Sequence, residues 1–155
     1  MKTLFTGVFI FLGLYGNSQK LDYRKMRDTI CPPICGWRDS LSLSEIVPRM
    51  LALDTNMLTK DSRSEFFDDL AHQEFMLFAY TLDSNYLRSS ANHSSKATYN
   101  DPKSYGNYWN TAFAYSMLNE CEKMRYWLAQ YKERTPRKYL RGQLEQIGYL
   151  EEKCK

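Results

Sequence analysis

Apolar side chains recur at three- and four-residue intervals along most of this chain, the spacing of a helix with one buried face. Leu140, Leu144, Ile147 and Leu150 are one such stripe. No stretch alternates between apolar and polar positions as a half-buried strand would. We therefore predict an all-α fold. The predicted helices cover about 44–58, 63–82, 105–118, 121–134 and 138–153.

The helix starts carry further signals. Ser42 with Glu45, and Ser62 with Glu65, have the spacing of a capping box. Pro48 is expected in the first turn of its helix, where proline is tolerated. Residues 84–100 fit either a weak helix or a loop, because their serines and asparagines lower helix propensity. Residues 19–43 are predicted to form an irregular lead-in to a helical domain over 44–155.

The second half of the chain repeats itself. Residues 78–82 recur as residues 113–117, and residues 101–105 recur as residues 135–139, at offsets of 35 and 34 positions. A period of this size is typical of stacked helical hairpins, which form binding surfaces rather than catalytic pockets. The alternative is an ordinary helical bundle in which the repeat arose by chance.

The better copy of the repeat resembles the tetratricopeptide repeat, with Thr111 and Met124 departing from that family's usual residues. The resemblance implies antiparallel helical hairpins stacked as a short solenoid, with copies over about 71–104 and 105–138 and a capping helix over about 138–153. The residues that carry it are Tyr108, Thr111, Ala112, Tyr115, Met124, Leu128 and Pro136.

In that family the first helix of each repeat lines a concave groove. The resemblance therefore implies that Trp109 and Phe113 bind a protein or peptide partner, with Glu74 and Phe78 as their equivalents in the first copy. A helix or an extended peptide could lie across these side chains. The alternative is that the N-terminal helices of the chain itself cover this face.

The first 18 residues are expected to be a signal peptide rather than part of the fold. Lys2 precedes an apolar run over 4–15, and small residues at 16 and 18 suit cleavage before Gln19. An N-terminal anchor helix is the alternative, although the run is shorter than the roughly 20 residues of a membrane span. We therefore predict an exported protein, periplasmic or secreted, without a membrane span.

The formal net charge of +3 is too small to predict binding to nucleic acid or to an anionic membrane. One local cluster is basic and is flanked by Tyr131 and Tyr139. It could hold RNA or an anionic peptide. A solvated turn with cations near a helix end is the favoured interpretation, because charge runs usually face solvent. Its members are Lys132, Arg134, Arg137, Lys138 and Arg141.

An exported chain with four cysteines is expected to contain disulfides. Cys31 and Cys35 could close a small loop, whereas Cys121 and Cys154 lie at the same end of two predicted neighbouring helices. The latter pair is therefore expected to be bonded. A redox-active thiol pair is the alternative, but no activating histidine is nearby in sequence.

No pattern in the sequence indicates a catalytic or metal site. His72 and His93 lack metal-ligand spacing and are expected to be surface or partly buried polar residues. The adjacent Asp68 and Asp69 point apart on a helix and are expected to form a solvated face rather than an acid/base pair. We predict no enzyme activity and no cofactor. The favoured function is an exported interaction scaffold. The alternatives are a small disulfide-stapled enzyme or effector with an unrecognised site, and a bundle that only self-associates.

Overall fold

A computed structural model of the chain describes residues 20–30 and 40–155, with side chains for 20–27 and 43–155. The predicted signal peptide, Cys31 and Cys35 lie outside the described residues. Apart from one isolated bridge between Leu21 and Leu58, all secondary structure in the described part is helical, which confirms the all-α class.

The described helices follow one another in chain order, and two of the connections contain a 3₁₀ turn, at Thr55–Met57 and Arg141–Gln143. They are α1 (Tyr23–Ile30), α2 (Ser40–Leu51), α3 (Lys60–Thr81), α4 (Ser84–Asn100), α5 (Tyr105–Met117), α6 (Cys121–Arg134), α7 (Arg137–Leu140) and α8 (Leu144–Lys153).

The irregular lead-in predicted for 19–43 is wrong where α1 forms. Tyr23 is buried and its ring meets Phe66 of α3 edge-on at 5.3 Å between centroids. The Tyr23 backbone amide donates to Ser62 Oγ at 3.0 Å, and the Tyr23 hydroxyl donates to Asp69 Oδ2 at 3.1 Å. These contacts lie about 40 residues away in sequence, so tertiary packing rather than local pattern fixes this helix.

Two predicted helix starts are also misplaced. Because α2 begins at Ser40, Pro48 lies inside the helix rather than in its first turn. The N-cap of α3 is Thr59, whose side chain accepts from the Ser62 amide at 3.2 Å. Ser62 lies within the first turn of α3, where its hydroxyl oxygen accepts the hydrogen bond from the Tyr23 amide and does not cap the helix.

The first hydrophobic core joins α1 and α2 to one side of α3. Leu43, Ile46, Val47 and Met50 present one face of α2 at the spacing that the sequence predicts. They pack with Tyr23, Leu58, Phe66, Leu70 and Leu77.

Helix α4 resolves the ambiguity over residues 84–100. Two of its serines, Ser89 and Ser90, donate their hydroxyls to α3, whereas Ser95 donates to the Asn92 carbonyl of its own helix. Ser90 Oγ donates to the Ala71 carbonyl at 2.7 Å, and Ser64 Oγ of α3 donates to the Ala97 carbonyl at 3.0 Å. Small side chains allow the two antiparallel helices to approach closely along their length.

The second core lies between α5, α6 and α8. The predicted stripe of Tyr108, Ala112 and Tyr115 on α5 is buried against that of Met124, Leu128 and Tyr131 on α6. Asn119 ends α5 in the left-handed conformation, with φ of 57°. The Glu120 amide then donates to the Tyr115 carbonyl at 3.0 Å, as in a Schellman cap.

The C-terminal helix predicted over 138–153 is interrupted, since α7, a 3₁₀ turn and α8 follow one another there. Ile147 and Leu150 turn α8 back onto the second core. Its end is fixed by a disulfide between Cys121 and Cys154, whose Cα atoms are 5.4 Å apart. This pairing confirms the prediction made from the antiparallel helix order.

The two proposed repeat copies differ in helix length. The first helix of copy one, α3, has 22 residues, whereas its counterpart α5 has 13. The solenoid arrangement and the capping role of α8 therefore stay predictions. Among the described helices, none is long and apolar enough to cross a bilayer.

Breaking the disulfide should destabilise the fold without changing its helices. The bond closes a sequence separation of 33 residues, for which loop-closure entropy predicts about 3–4 kcal/mol of stabilisation. We expect Cys121→Ser with Cys154→Ser to lower the free energy of unfolding in urea by that amount. Reductant should destabilise the wild type and leave the double variant unchanged. Equal stability of variant and wild type would contradict the expectation.

Candidate functional site

A groove with a volume of about 1040 Å³ runs between α3, α5 and α8, with α4 beneath it. We call it the α3–α8 groove. Buried residues from α3, α4 and α8 form its base, and exposed polar residues stand at its rim. Its lining residues are Asp68, Asp69, Ala71, His72, Phe75, Met76, Ser90, Ser94, Trp109, Asn110, Phe113, Glu145, Gln146, Tyr149 and Leu150.

Aromatic rings from two helices line the middle of the groove. Phe75 of α3 lies 6.2 Å from Phe113 of α5, and Phe113 lies 6.5 Å from Trp109, measured between ring centroids. Both predicted partner-binding residues of α5 thus line one cavity. Trp109 is only half exposed, because its other face contacts Tyr131 of the second core at 5.4 Å.

The rim of the groove is acidic. Asp68 and Asp69 stand on α3, and Glu145 stands across from them on α8. Asp69 is already engaged by Arg27 Nε at 3.0 Å and by the Tyr23 hydroxyl. Asp68 is exposed, and its carboxylate is attracted by His72 and Arg27. Neither lysine nor arginine is present among the described residues that line the groove.

The two aspartates near the middle of α3, Asp68 and Asp69, have carboxyl groups in an electrostatically unfavourable environment. Desolvation by the surrounding protein raises the pKa of the Asp68 carboxyl, and the neighbouring Asp69 charge raises it further. Desolvation also raises the pKa of Asp69, although Arg27 opposes that shift. Asp68 is nevertheless exposed, as expected for a solvated helix face, whereas Asp69 is partly buried against α1. Ionising these carboxyls costs more in the native state than in the unfolded chain.

One polar group at the base of the groove is unsatisfied. Ser94 is only 2 % exposed, and its hydroxyl has no hydrogen-bond partner in the described part of the chain. The neighbouring Ser90, one turn away on α4, has the carbonyl of Ala71 as its acceptor. A buried hydroxyl without a partner typically costs about 1–3 kcal/mol. The sequence gives no signal that distinguishes these two serines.

Two of the four residues predicted to bind a partner do not line the groove. Glu74 is 1 % exposed and points into the protein, while Phe78 packs against Phe75 one turn beyond the groove. The residue of copy one that faces Phe113 is Phe75 instead. The repeat offset of 35 makes Glu74 the equivalent of Trp109 in copy one. An offset of 34 makes Phe75 the equivalent instead, and its side chain lies about 100° around the helix from that of Glu74.

Glu74 belongs to a buried polar cluster. Its Oε2 lies 2.7 Å from Nδ1 of His93, and its Oε1 accepts from the Ser89 hydroxyl at 2.7 Å. His93 stacks on Phe67 with 5.8 Å between ring centroids and is 9 % exposed, at the buried end of the surface or partly buried positions expected for the histidines. The serine bonds to the carboxylate and not to the imidazole. This arrangement is therefore not the relay that activates a serine nucleophile.

The remaining candidate groups are dispersed. Among the described residues, no cluster of histidine, cysteine and carboxylate side chains could hold a metal ion. The basic cluster beside α6 and α7 is partly used internally: Lys132 pairs with Glu151, and Arg134 lies over the Tyr108 ring at 5.4 Å. Arg137, Lys138 and Arg141 are exposed and lie outside the groove.

None of the described residues of α1 and α2 lines the groove, although Tyr23 and Arg27 of α1 contact Asp69 at its rim. The alternative that N-terminal helices cover this face stays a prediction. Helix α8 borders the groove. Comparison with known proteins adds nothing further: no family model, curated protein or solved structure matches this chain.

Truncating Glu74 should destabilise the protein rather than change a surface. Removing one partner of a buried pair leaves His93 and Ser89 without their acceptor, which typically costs about 3–5 kcal/mol. We expect that loss in the free energy of unfolding of Glu74→Ala. Glu122→Ala, an exposed glutamate on α6, should change it little. A similarly small effect of both variants on the free energy of unfolding would contradict the burial of Glu74.

Neutralising Asp68 should stabilise the protein at neutral pH. Its raised folded-state pKa means that the native state binds protons more readily than the unfolded chain, so stability falls as pH rises through that pKa. Asp68→Asn should raise the thermal midpoint at pH 7, and the difference should vanish below the ordinary carboxyl pKa of about 4.

A matched control for Asp68 lies on the same helix. Asp61 occupies the first turn of α3, where a negative charge favours the helix dipole. Asp61→Asn should therefore lower the midpoint slightly at pH 7. If both variants shift the midpoint in the same direction, the unfavourable environment assigned to Asp68 is wrong.

Proposed function

We propose that this protein is an exported interaction scaffold that binds a segment of a protein partner in the α3–α8 groove. The observation that carries the proposal is the convergence of Phe75, Trp109 and Phe113 on one open cavity. Aromatic side chains at the centre of a protein surface are frequent anchors for binding energy. The apolar walls and the few polar groups at base and rim match the composition of binding clefts.

The resemblance to tetratricopeptide repeats supports the same face. In that family the first helix of each repeat lines the groove, and here α3 and α5 supply its aromatic residues. A chain of stacked helical hairpins offers a preformed surface rather than a catalytic constellation.

An exported location remains part of the proposal. The Cys121–Cys154 disulfide supports it, because such bonds persist in oxidising compartments and are rare in the cytosol. The apolar run before Gln19 and its small residues suit an export signal. The periplasm and the extracellular space both fit these observations.

Site-specific photocrosslinking tests the groove directly. Trp109 is unsuitable for truncation alone, because it also packs on Tyr131. Asn110 and Gln146 are exposed and line opposite sides of the groove, so a photoreactive phenylalanine fits at either position. Tyr99, exposed on α4 and outside the groove lining, is the control position.

We expect the same protein from the native compartment to be crosslinked at Asn110 and Gln146 but not at Tyr99. That protein, once identified and purified, should form the same adducts in a mixture of the two components. Equal labelling at Tyr99, or an absence of adducts at both groove positions, would contradict the proposed function.

A further inference from the structure

We propose that the segment bound in the α3–α8 groove inserts an arginine or lysine side chain, whose cationic head lies between Asp68 and Ser94. Its apolar stem then packs along Phe75 and Phe113. This inference rests on the proposed function, since it specifies the chemistry of the segment that the groove accepts. It follows from the register of α3 against α4, from the free bonding capacity at the base, and from the charge of the rim.

The register of the two helices brings Ser94 and Asp68 to a similar level. Ser64 of α3 bonds to Ala97 of α4, and Ala71 of α3 bonds to Ser90 of α4. Midway between these contacts, Phe67 of α3 stacks on His93 of α4. Asp68 follows Phe67 and Ser94 follows His93 in sequence, so they lie at a similar level of the helix pair, and both line the groove.

The two side chains together can accept several hydrogen bonds. An ionised carboxylate is an acceptor only, and a hydroxyl oxygen has two acceptor sites. The Ser94 hydroxyl lacks a partner among the described residues, and the Asp68 carboxylate is exposed at the rim of the groove. A group that presents multiple N–H donors would satisfy both at once. A guanidinium has five such donors and an ammonium has three.

The rest of the lining suits the remainder of such a side chain. Arginine and lysine carry apolar stems that bury readily against rings. Phe75 and Phe113 face one another across 6.2 Å between centroids and offer such a surface. Attraction between a cation and an aromatic face adds to it over distances up to about 6 Å. Glu145, at the opposite rim, provides a further negative charge.

The form of the groove favours a polypeptide over a small amine. Exposed residues of α3, α5 and α8 border it, including His72, Asn110 and Tyr149, so the cavity is open to solvent along its rim. A chain can pass along such a rim while one side chain enters the base. An acidic segment is disfavoured, because it would bring like charges beside Asp68, Asp69 and Glu145.

The experiment uses three end-capped, fluorescein-labelled peptides of one length and the full chain. The first alternates leucine with arginine, the second replaces each arginine with citrulline, and the third replaces each arginine with glutamate. Citrulline keeps the shape of arginine and most of its N–H donors but has no charge. We expect the arginine peptide to bind at least about fivefold more tightly than the citrulline peptide, and the glutamate peptide to be weakest.

Two serine variants separate recognition from folding. Ser94→Ala removes a hydroxyl without a described partner, so it should raise the thermal midpoint or leave it unchanged, while weakening arginine-peptide binding about threefold to tenfold. Ser90→Ala removes a hydroxyl that bonds to Ala71, so it should lower the midpoint and leave affinity nearly unchanged. Identical behaviour of the two variants would overturn the assignment of Ser94.

Two charge variants complete the test. The double variant Asp68→Asn with Glu145→Gln should weaken binding of the arginine peptide by about fivefold or more. Glu122→Gln with Glu133→Gln removes the same charge from exposed positions on α6 and should have little effect. An equal loss of affinity in both double variants would show that the overall charge of the protein attracts the peptide, without a specific site. That result would overturn the proposal.

The remaining outcomes distinguish this inference from the proposed function. If none of the three peptides binds but both groove positions crosslink a partner, the cationic side chain is wrong and the scaffold stands. If free arginine methyl ester binds as tightly as the peptide, the groove is a small-molecule site. Self-association that disappears in Asp68→Asn with Glu145→Gln would assign the groove to a second copy of the chain. Either of these last two results overturns the proposal.

Discussion

The close packing of α3 against α4 is the constraint on which the rest of the structure depends. Ser64 and Ser90 each donate a hydroxyl across the helix pair, and alanines between them keep the backbones near each other. These bonds fix the register of the pair. That register brings Ser94 to a level similar to that of Asp68. It also places Glu74 within hydrogen-bonding distance of His93, and Phe75 faces Phe113 of α5. The groove is a consequence of this alignment.

The site shows how stability and binding capacity oppose one another. Residues that hold the two helices together have complete sets of partners, as Ser90 and Glu74 illustrate. Two residues that face the groove do not, since Ser94 is buried without a described partner and desolvation raises the pKa of the Asp68 carboxyl. A buried polar group without a partner in a native protein calls for an explanation, such as an ordered water, a bound ligand or a functional role. The contrast within one helix pair is what distinguishes the groove from ordinary surface.

The sequence predicted the parts of the fold that depend on local pattern. Helical stripes located α5 and α6 closely, and the antiparallel order predicted the Cys121–Cys154 bond. It missed α1, because that helix depends on Tyr23 meeting Phe66 and Ser62 far along the chain. It predicted Trp109 and Phe113 in the groove but chose Glu74 over Phe75, since a shift of one residue rotates a helical side chain by about 100°. The roles of Ser94 and α8 required the tertiary arrangement.

The unequal lengths of α3 and α5 have a consequence for how this molecule melts. Phe66, Leu70 and Leu77 bind α3 to the first core, while Phe75 and Phe78 of the same helix pack on the second. In a linear array each repeat contacts only its neighbours, so the ends can fray independently. Here one helix of 22 residues is shared by both cores. Unfolding of either core would remove packing on α3 that stabilises the other core. We therefore expect the described domain to unfold as a single cooperative unit.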